Sequence, residues 1–197
     1  MNEPKKELRD RPHRPSGPPE PVPPMAEMVT RLDTWLARNR PDFYANLRPG
    51  LAEAAWADFE SRLGIRLPDA FRVLYRWRDG QNEDLNFRDN RYWMASEDIV
   101  RVKELMDGMI DTDFEPGWWE RGWVPFLANG AGSHLCVDMG GSEPGRLVEF
   151  WNRDWDRPEV APSFERWLHE FVTSLEQDRW EETEVGFKRV QVRDRGE

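Results

Sequence analysis

Apolar side chains recur at steps of three and four from Met25 onward, so that Met25, Met28, Val29, Leu32, Trp35 and Leu36 share one helical face. This spacing predicts a first helix ending before Pro41, whose ring cannot continue it. Leu51, Ala55, Phe59 and Leu63 repeat every fourth position and predict a second helix, with Gly64 as its stop. Residues 65–68 form an extended bridge, because the residue before a proline is pushed out of the helical region. Pro68 then opens a third helix, which carries Phe71, Leu74 and Tyr75 inward and stops near Gly80. A short strand is predicted at 91–94. Ser96 is placed to cap a fourth helix, with Glu97 and Asp98 at the positive end of its dipole. The inner face of that helix reads Ile99, Val102, Leu105, Met106, Met109 and Ile110.

From Trp118 the period shifts towards two. Short apolar runs at 123–128, 133–138 and 145–151 are separated by Asn129-Gly130 and Gly140-Gly141, which are hairpin signals and predict an antiparallel meander. Pro125 lacks a backbone donor, so its strand is at an edge or begins there. Ser163 caps a final helix with Phe164, Trp167, Leu168, Phe171, Val172 and Leu175 on one face. Residues 181–193 alternate, but Val185 and Phe187 are out of phase with Val190 and Val192, so a last strand at 183–193 needs a bulge or a register break. Helices, then a sheet, then a closing helix predict an α+β fold: an antiparallel meander with helices packed on one face.

Composition changes this picture at the N-terminus. Eight of the 16 prolines fall within residues 1–24, which hold no aromatic residue. That stretch is expected to be a disordered, proline-rich tail ahead of a single domain at 25–197, with residues 18–24 as a candidate polyproline II ligand. The domain is acidic: the chain's net charge is −10, and residues 1–24 carry five Lys/Arg against four Asp/Glu, which leaves −11 for the rest. Such a surface repels phosphate backbones and attracts basic proteins, so a protein partner is expected and nucleic acid is not. Charges interrupt every hydrophobic run, which excludes a spanning helix. The single cysteine and the lack of an apolar leader in residues 1–25 point to the cytoplasm.

Candidate chemistry is sparse. His134, Cys136 and Asp138 alternate along one predicted strand and share a sheet face. Side chains two apart on a strand start about 6.5–7 Å apart and run parallel, too far for a Cys–His dyad or a shared metal ion. Cys136 is therefore expected to be half-buried beside polar neighbours, with Asp138 accepting hydrogen bonds near the turn. Gly130-Ala131-Gly132 is a turn, since neither a helix nor a P-loop lysine follows. His13 and His169 are expected in solvent, and the acidic pairs Glu83-Asp84 and Asp111/Asp113 lack Ca²⁺-loop spacing. No catalytic residue, cofactor or metal is assigned. Trp35, Trp56, Trp77, Trp123 and Trp167 fit core faces, whereas Trp93, Trp118, Trp119 and Trp155 lie in or beside predicted loops, where exposed aromatics anchor complexes.

Several stretches in a fixed order resemble the Smi1/Knr4 (SUKH) family. Leu63-Gly64-Ile65-Arg66-Leu67-Pro68, followed by Leu74-Tyr75 and Asp79-Gly80-Gln81, is similar to that family's opening signature. Trp123-Val124-Pro125-Phe126, Asn129-Gly130-Ala131-Gly132 and Leu135-Cys136-Val137-Asp138 resemble its hairpin, and Ala161-Pro162-Ser163-Phe164 with Trp167-Leu168 its closing helix. Asp79 stands where Asn is usual, and Ser133-His134 where an acidic or Asn residue is common. The likeness runs from about Met25 to about Asp178 and implies a binding module. Bacterial members are largely immunity proteins that dock on a toxin, and fungal members are scaffolds in cell-wall signalling. The leading expectation is an immunity-type inhibitor of a basic toxin domain, docking through Glu83, Asp84, Asp89, Trp93, Trp118 and Trp119. The alternatives are a cellular scaffold or regulator and, last, a hydrolase built on His134 and Cys136.

Overall fold

The protein is described by a computed structural model over residues 21–141 and 143–190. Helix α1 (Met25–Asn39) is followed by α2 (Pro41–Ala45), strand β1 (Leu47–Pro49), α3 (Glu53–Leu63), α4 (Asp69–Trp77) and β2 (Arg78–Gln81). Next come β3 (Tyr92–Trp93), α5 (Ser96–Gly108), β4 (Trp123–Ala128), β5 (His134–Asp138), β6 (Arg146–Phe150) and β7 (Glu159–Ala161). Helix α6 (Phe164–Glu176) and the hairpin β8 (Trp180–Thr183) and β9 (Gly186–Arg189) complete the described chain.

The central sheet has the order β3-β4-β5-β6-β7 and every pairing is antiparallel. It is the meander that the turn signals predict, lengthened by one short strand at each edge. Alternation sends Val124, Leu135, Val137 and Leu147 into the main core beneath the helices, with Met28 and Leu32 of α1, Phe71 of α4 and Trp167 of α6. A register shift between Pro125 and Leu127 lets Phe126 and Leu127 both join that core, as a bulge allows. Ser163 caps α6 as expected, its hydroxyl accepting from the Arg166 backbone N–H at 3.2 Å.

The opposite sheet face is apolar too and needs its own cover. Trp123, Cys136, Val148 and Phe150 form a second cluster with Met106 of α5 and Trp119 from the segment that follows α5. This explains two departures from the pattern. Trp119 is 2 % exposed because its ring stands edge-on to Trp123 and Phe150 at 5.5 and 5.2 Å and its N–H donates to Asp107. Cys136 is wholly buried rather than half-buried. On α5 the inner face also differs: Leu105 is exposed, whereas Lys103 is buried with its ammonium on Asp107 and the Arg121 carbonyl.

Further corrections follow from what packs around each residue. Trp93 is fully buried, because β3 lies along β4 and its indole is enclosed by Tyr75, Trp77 and Phe87 at 5.4–5.8 Å. His169 is buried on α6 instead of solvated. The register break expected at 183–193 is a turn: Thr183 pairs with Gly186 to close β8 on β9, so the alternating residues make a hairpin and not one strand. Val22, ahead of Met25, rests partly buried against the core. Residues 1–20 of the expected tail, and 191–193 of the expected strand, lie outside the described residues. No helix among the described residues is long and apolar enough to cross a membrane.

The Asp79-Gly80-Gln81 motif turns out to be a joint. Asp79 accepts from the Ser96 N–H and hydroxyl at 2.8 and 3.1 Å and so seats the first turn of α5. Gln81 accepts from the Trp93 N–H at 2.8 Å and donates to the Leu85 carbonyl at 2.7 Å. Three residues thereby tie β2 to α5, to β3 and to the loop between them.

Candidate functional site

The register row Tyr92, Ala128, His134 and Phe150 brings three connections to one end of the sheet: residues 82–91, 129–133 and 151–158. Asn129 fixes the second, its side-chain oxygen accepting from the N–H groups of Ala131 and Ser133 at 3.0 and 3.1 Å. Asn152 fixes it to the third, since its backbone donates to the Ser133 hydroxyl and its side-chain amide to the Ala131 carbonyl.

Arg157 holds the third connection together. Its guanidinium donates to the carbonyls of Trp151, Asp154 and Asp156 within the loop and to that of Trp118 at 3.0 Å. It also lies 4.8 Å from the Trp118 ring and 4.6 Å from that of Phe150. Burial pulls its pKa below the ordinary arginine value, yet four carbonyl acceptors and two ring faces compensate a charge of this delocalised kind. The outcome is a stiff loop that displays large apolar groups. Trp151 is 38 % and Trp155 52 % exposed, and Trp155 stands edge-on to the half-buried Trp118 at 4.7 Å. An open groove of about 1120 Å³ runs beside Trp151, lined also by Ser133, Asn152, Arg153, Asp154, Asp156 and Arg157.

Of the six residues expected on the docking face, four remain at the surface. Glu83 and Asp84 are exposed and Asp89 is half-exposed, all on residues 82–91. Asn46 pins that loop through both backbone groups of Glu83, and the Asp89 N–H donates to the Phe187 carbonyl at 2.7 Å. Trp118 stands under Trp155. Trp93 and Trp119 are core residues and make no anchor. Arg91 connects the acidic loop to the groove: it pairs with Glu149 and its guanidinium lies 5.3 Å from the Trp151 ring. Trp151 and Arg157 went unassigned from the sequence. The signal was present, as two tryptophans in an otherwise polar stretch between two strands.

The His134–Cys136–Asp138 face is closed off from solvent. Burial pushes the Cys136 thiol well up, so it stays protonated and is a poor nucleophile. His134 stacks on Phe150, and Asp138 is held by Arg146 at 2.8 Å.

Two buried groups give the stability a pH signature. Burial raises the Glu149 carboxyl from 4.5 to about 7, against the pull of Arg91. Its contribution is full below the unfolded value and lost as pH rises through about 7. Burial lowers His134 from 6.5 to about 4, helped by the charge of Arg91. That contribution is present above 6.5 and lost as pH falls through about 4. Between roughly pH 4.5 and 6.5 the two slopes oppose each other. Glu149→Gln is therefore expected to uncover the histidine slope, with stability falling on acidification by up to about 1.4 kcal/mol per pH unit relative to the unsubstituted protein. Urea midpoints across this range check it; parallel profiles for the two proteins would mean that Glu149 stays ionised.

The fold is that of an antiparallel α+β module. The chain belongs to the SMI1/KNR4 family (SUKH-1), whose model matches residues 50–170. It is 22 % identical to KNR4/SMI1 homolog 2 of Debaryomyces hansenii over 82 % of this chain and 37 % of that protein. It is 24 % identical to the cell wall biosynthesis/cell cycle regulator smi1 of Schizosaccharomyces pombe over 84 % of this chain and 39 % of that protein. A shorter match, 44 % over 50 residues, is to the Arabidopsis thaliana F-box protein SKIP16, covering 25 % of this chain and 12 % of the other. The chain spans about two fifths of the length of its two yeast relatives.

Proposed function

We propose that this protein is a non-catalytic binding module that regulates or scaffolds other proteins, docking them through the Trp151–Trp155 loop and the neighbouring acidic loop. The observation that carries this reading is the Arg157-held loop, which exposes two tryptophans without needing to reorganise. Preorganised aromatic groups bury much area at low entropic cost, as hot spots do. The yeast relatives support a regulatory role over an inhibitory one, since one of them is named as a cell wall and cell cycle regulator.

The test is capture of partners by the full chain and by a Trp151→Ala/Trp155→Ala variant. Trp151 packs under Arg91 and Trp155 against Trp118, so the variant is expected to lose about 1–3 kcal/mol of stability, and binding is compared at equal folded fraction. Partner affinity is expected to fall by at least tenfold, as the loss of about 2 kcal/mol at a hot spot requires. Undiminished binding by this variant, with loss on Glu83→Lys/Asp84→Lys, would move the site to the acidic loop alone.

The immunity reading is kept as the second one, because the net charge of −10 favours a basic partner. Under it the partner is a single basic toxin domain encoded nearby. Binding then slows with salt, and co-expression restores growth of cells that carry the toxin.

A further inference from the structure

The connection between β6 and β7 concentrates exposed apolar area on a neutral patch of an acidic protein. Three of the six large hydrophobic side chains exposed among the described residues, Trp151, Trp155 and Val160, fall within residues 151–160. Residues 151–158 hold two arginines and two aspartates and net to zero, against −10 for the whole chain. A basic partner therefore gains no net attraction from this loop, and an acidic partner gains none either. A second copy of the same loop does gain, because it supplies both signs in a fixed arrangement.

The charges are placed for such a contact. Arg153 and Asp156 are exposed, and among the described residues neither side chain has an ion-pair or hydrogen-bond partner. They stand three positions apart, yet they do not meet, because the loop is wound around Arg157 through the carbonyls of Trp151, Asp154 and Asp156. The shape agrees with the charges. Asp154 and Asp156 line the groove of about 1120 Å³ beside Trp151, whereas Trp155 between them does not. Its indole is instead 52 % exposed and edge-on to Trp118. A knob and a hollow thus adjoin one rim. A two-fold axis along that rim lays the knob of each copy in the hollow of the other, the isologous arrangement in which residue i meets j and j meets i. Sites of about 300–1,000 Å³ enclose drug-sized molecules, so the groove has room for an indole. Arg157 fixes the loop beforehand, which lowers the entropy lost on association.

We propose that two copies of this chain associate through residues 151–158, with Trp155 of each in the groove of the other and Arg153 of each paired with Asp156 of the other. A different protein must then displace a copy to use this loop. The proposal goes beyond the docking role, and its test contains no other protein, so its failure leaves that role untouched. The experiment is sedimentation equilibrium of the full chain from about 1 to 300 μM, the range in which interfaces of modest area associate. The average mass is expected to rise with concentration from 23.3 kDa towards twice that value. Trp155→Ala, Arg153→Asp and Asp156→Arg are each expected to weaken association at least tenfold, measured where circular dichroism shows the variant fully folded. The two charge variants mixed in equal amounts are expected to recover the dimer, because both cross-pairs between positions 153 and 156 again join opposite signs. Mixing does not repair a variant that is merely damaged in folding. A wild-type mass that stays at the monomer value throughout the range overturns the proposal. So does a dimer that none of the three substitutions weakens, since its contact then lies on another face. A mixture no tighter than either charge variant alone overturns the Arg153–Asp156 pairing, and growth past twice the monomer mass overturns the two-fold arrangement.

Discussion

Replacing Trp93 by alanine is expected to destabilise the protein by about 3–5 kcal/mol, the usual cost of removing a buried aromatic ring. Its indole is 0 % exposed and sits among Tyr75, Trp77 and Phe87, where three elements meet: α4, β3 and residues 82–91. A denaturant midpoint that falls with an unchanged slope is the signature of lost stability. Partner binding is expected to fall only in proportion to the folded fraction. Near-wild-type stability combined with lost binding would instead return Trp93 to the docking face on which a reading of its surroundings as loop had put it.

A methyl group at Gly80 is the second large effect. The backbone there is left-handed, with φ +67°, and a Cβ would lie 2.6 Å from the Ala95 nitrogen and the Met94 carbonyl carbon. Both of these are main-chain atoms, so no side chain can swing aside. Relief requires β2 to separate from the start of α5, which pulls Asp79 from the two Ser96 donors it satisfies. Gly80→Ala is expected to cost on the order of 3 kcal/mol, from left-handed strain and overpacking together. Gly130 supplies the comparison: its φ is +70°, but nothing lies within 4 Å of a Cβ there. Gly130→Asn is expected to cost no more than about 1 kcal/mol, because asparagine tolerates the left-handed region. Equal losses at the two positions would show that backbone conformation alone, and not the contact with residues 94 and 95, governs Gly80.

The contrast between Trp93 and Trp155 shows where reading along the chain stops working. Both residues sit beside predicted loops with charged neighbours, and both looked like exposed anchors. Trp155 is exposed because its loop turns away from the sheet, while Trp93 is covered because β3 adds to the edge of β4. A two-residue strand has too few positions to reveal a period, so nothing local announced which way its indole faces. Trp119 failed for a related reason. The second face of β5 read as half-polar, with His134, Cys136 and Asp138, so nothing in the alternation announced the apolar cluster that Trp119 and Met106 cover.

The acidic residues fared better. Glu83 and Asp84 are exposed as expected, since desolvating a charge without a partner is too costly to occur often. What could not be foreseen is that Asn46 and Phe187 pin their loop, contacts made across 37 and 98 residues of chain respectively. Arg157 went unnoticed because arginine in a polar loop usually means solvent. Its value lies in four carbonyls that only the folded loop gathers.

The linear pattern was enough to settle the kinds of element and their order: helical faces at α1, α3, α4 and α6, hairpin turns between β4, β5 and β6, and the antiparallel meander they imply. Those features arise from periodicity, turn chemistry and capping, which act between neighbours a few residues apart. Tertiary packing decided which tryptophans are core and which are surface, turned the terminal alternation into a hairpin, and assembled the groove from residues 129–133 and 151–158. Burial depends on what arrives from elsewhere in the chain, and the side chains that make a contact surface here are brought together by sheet register rather than by sequence proximity.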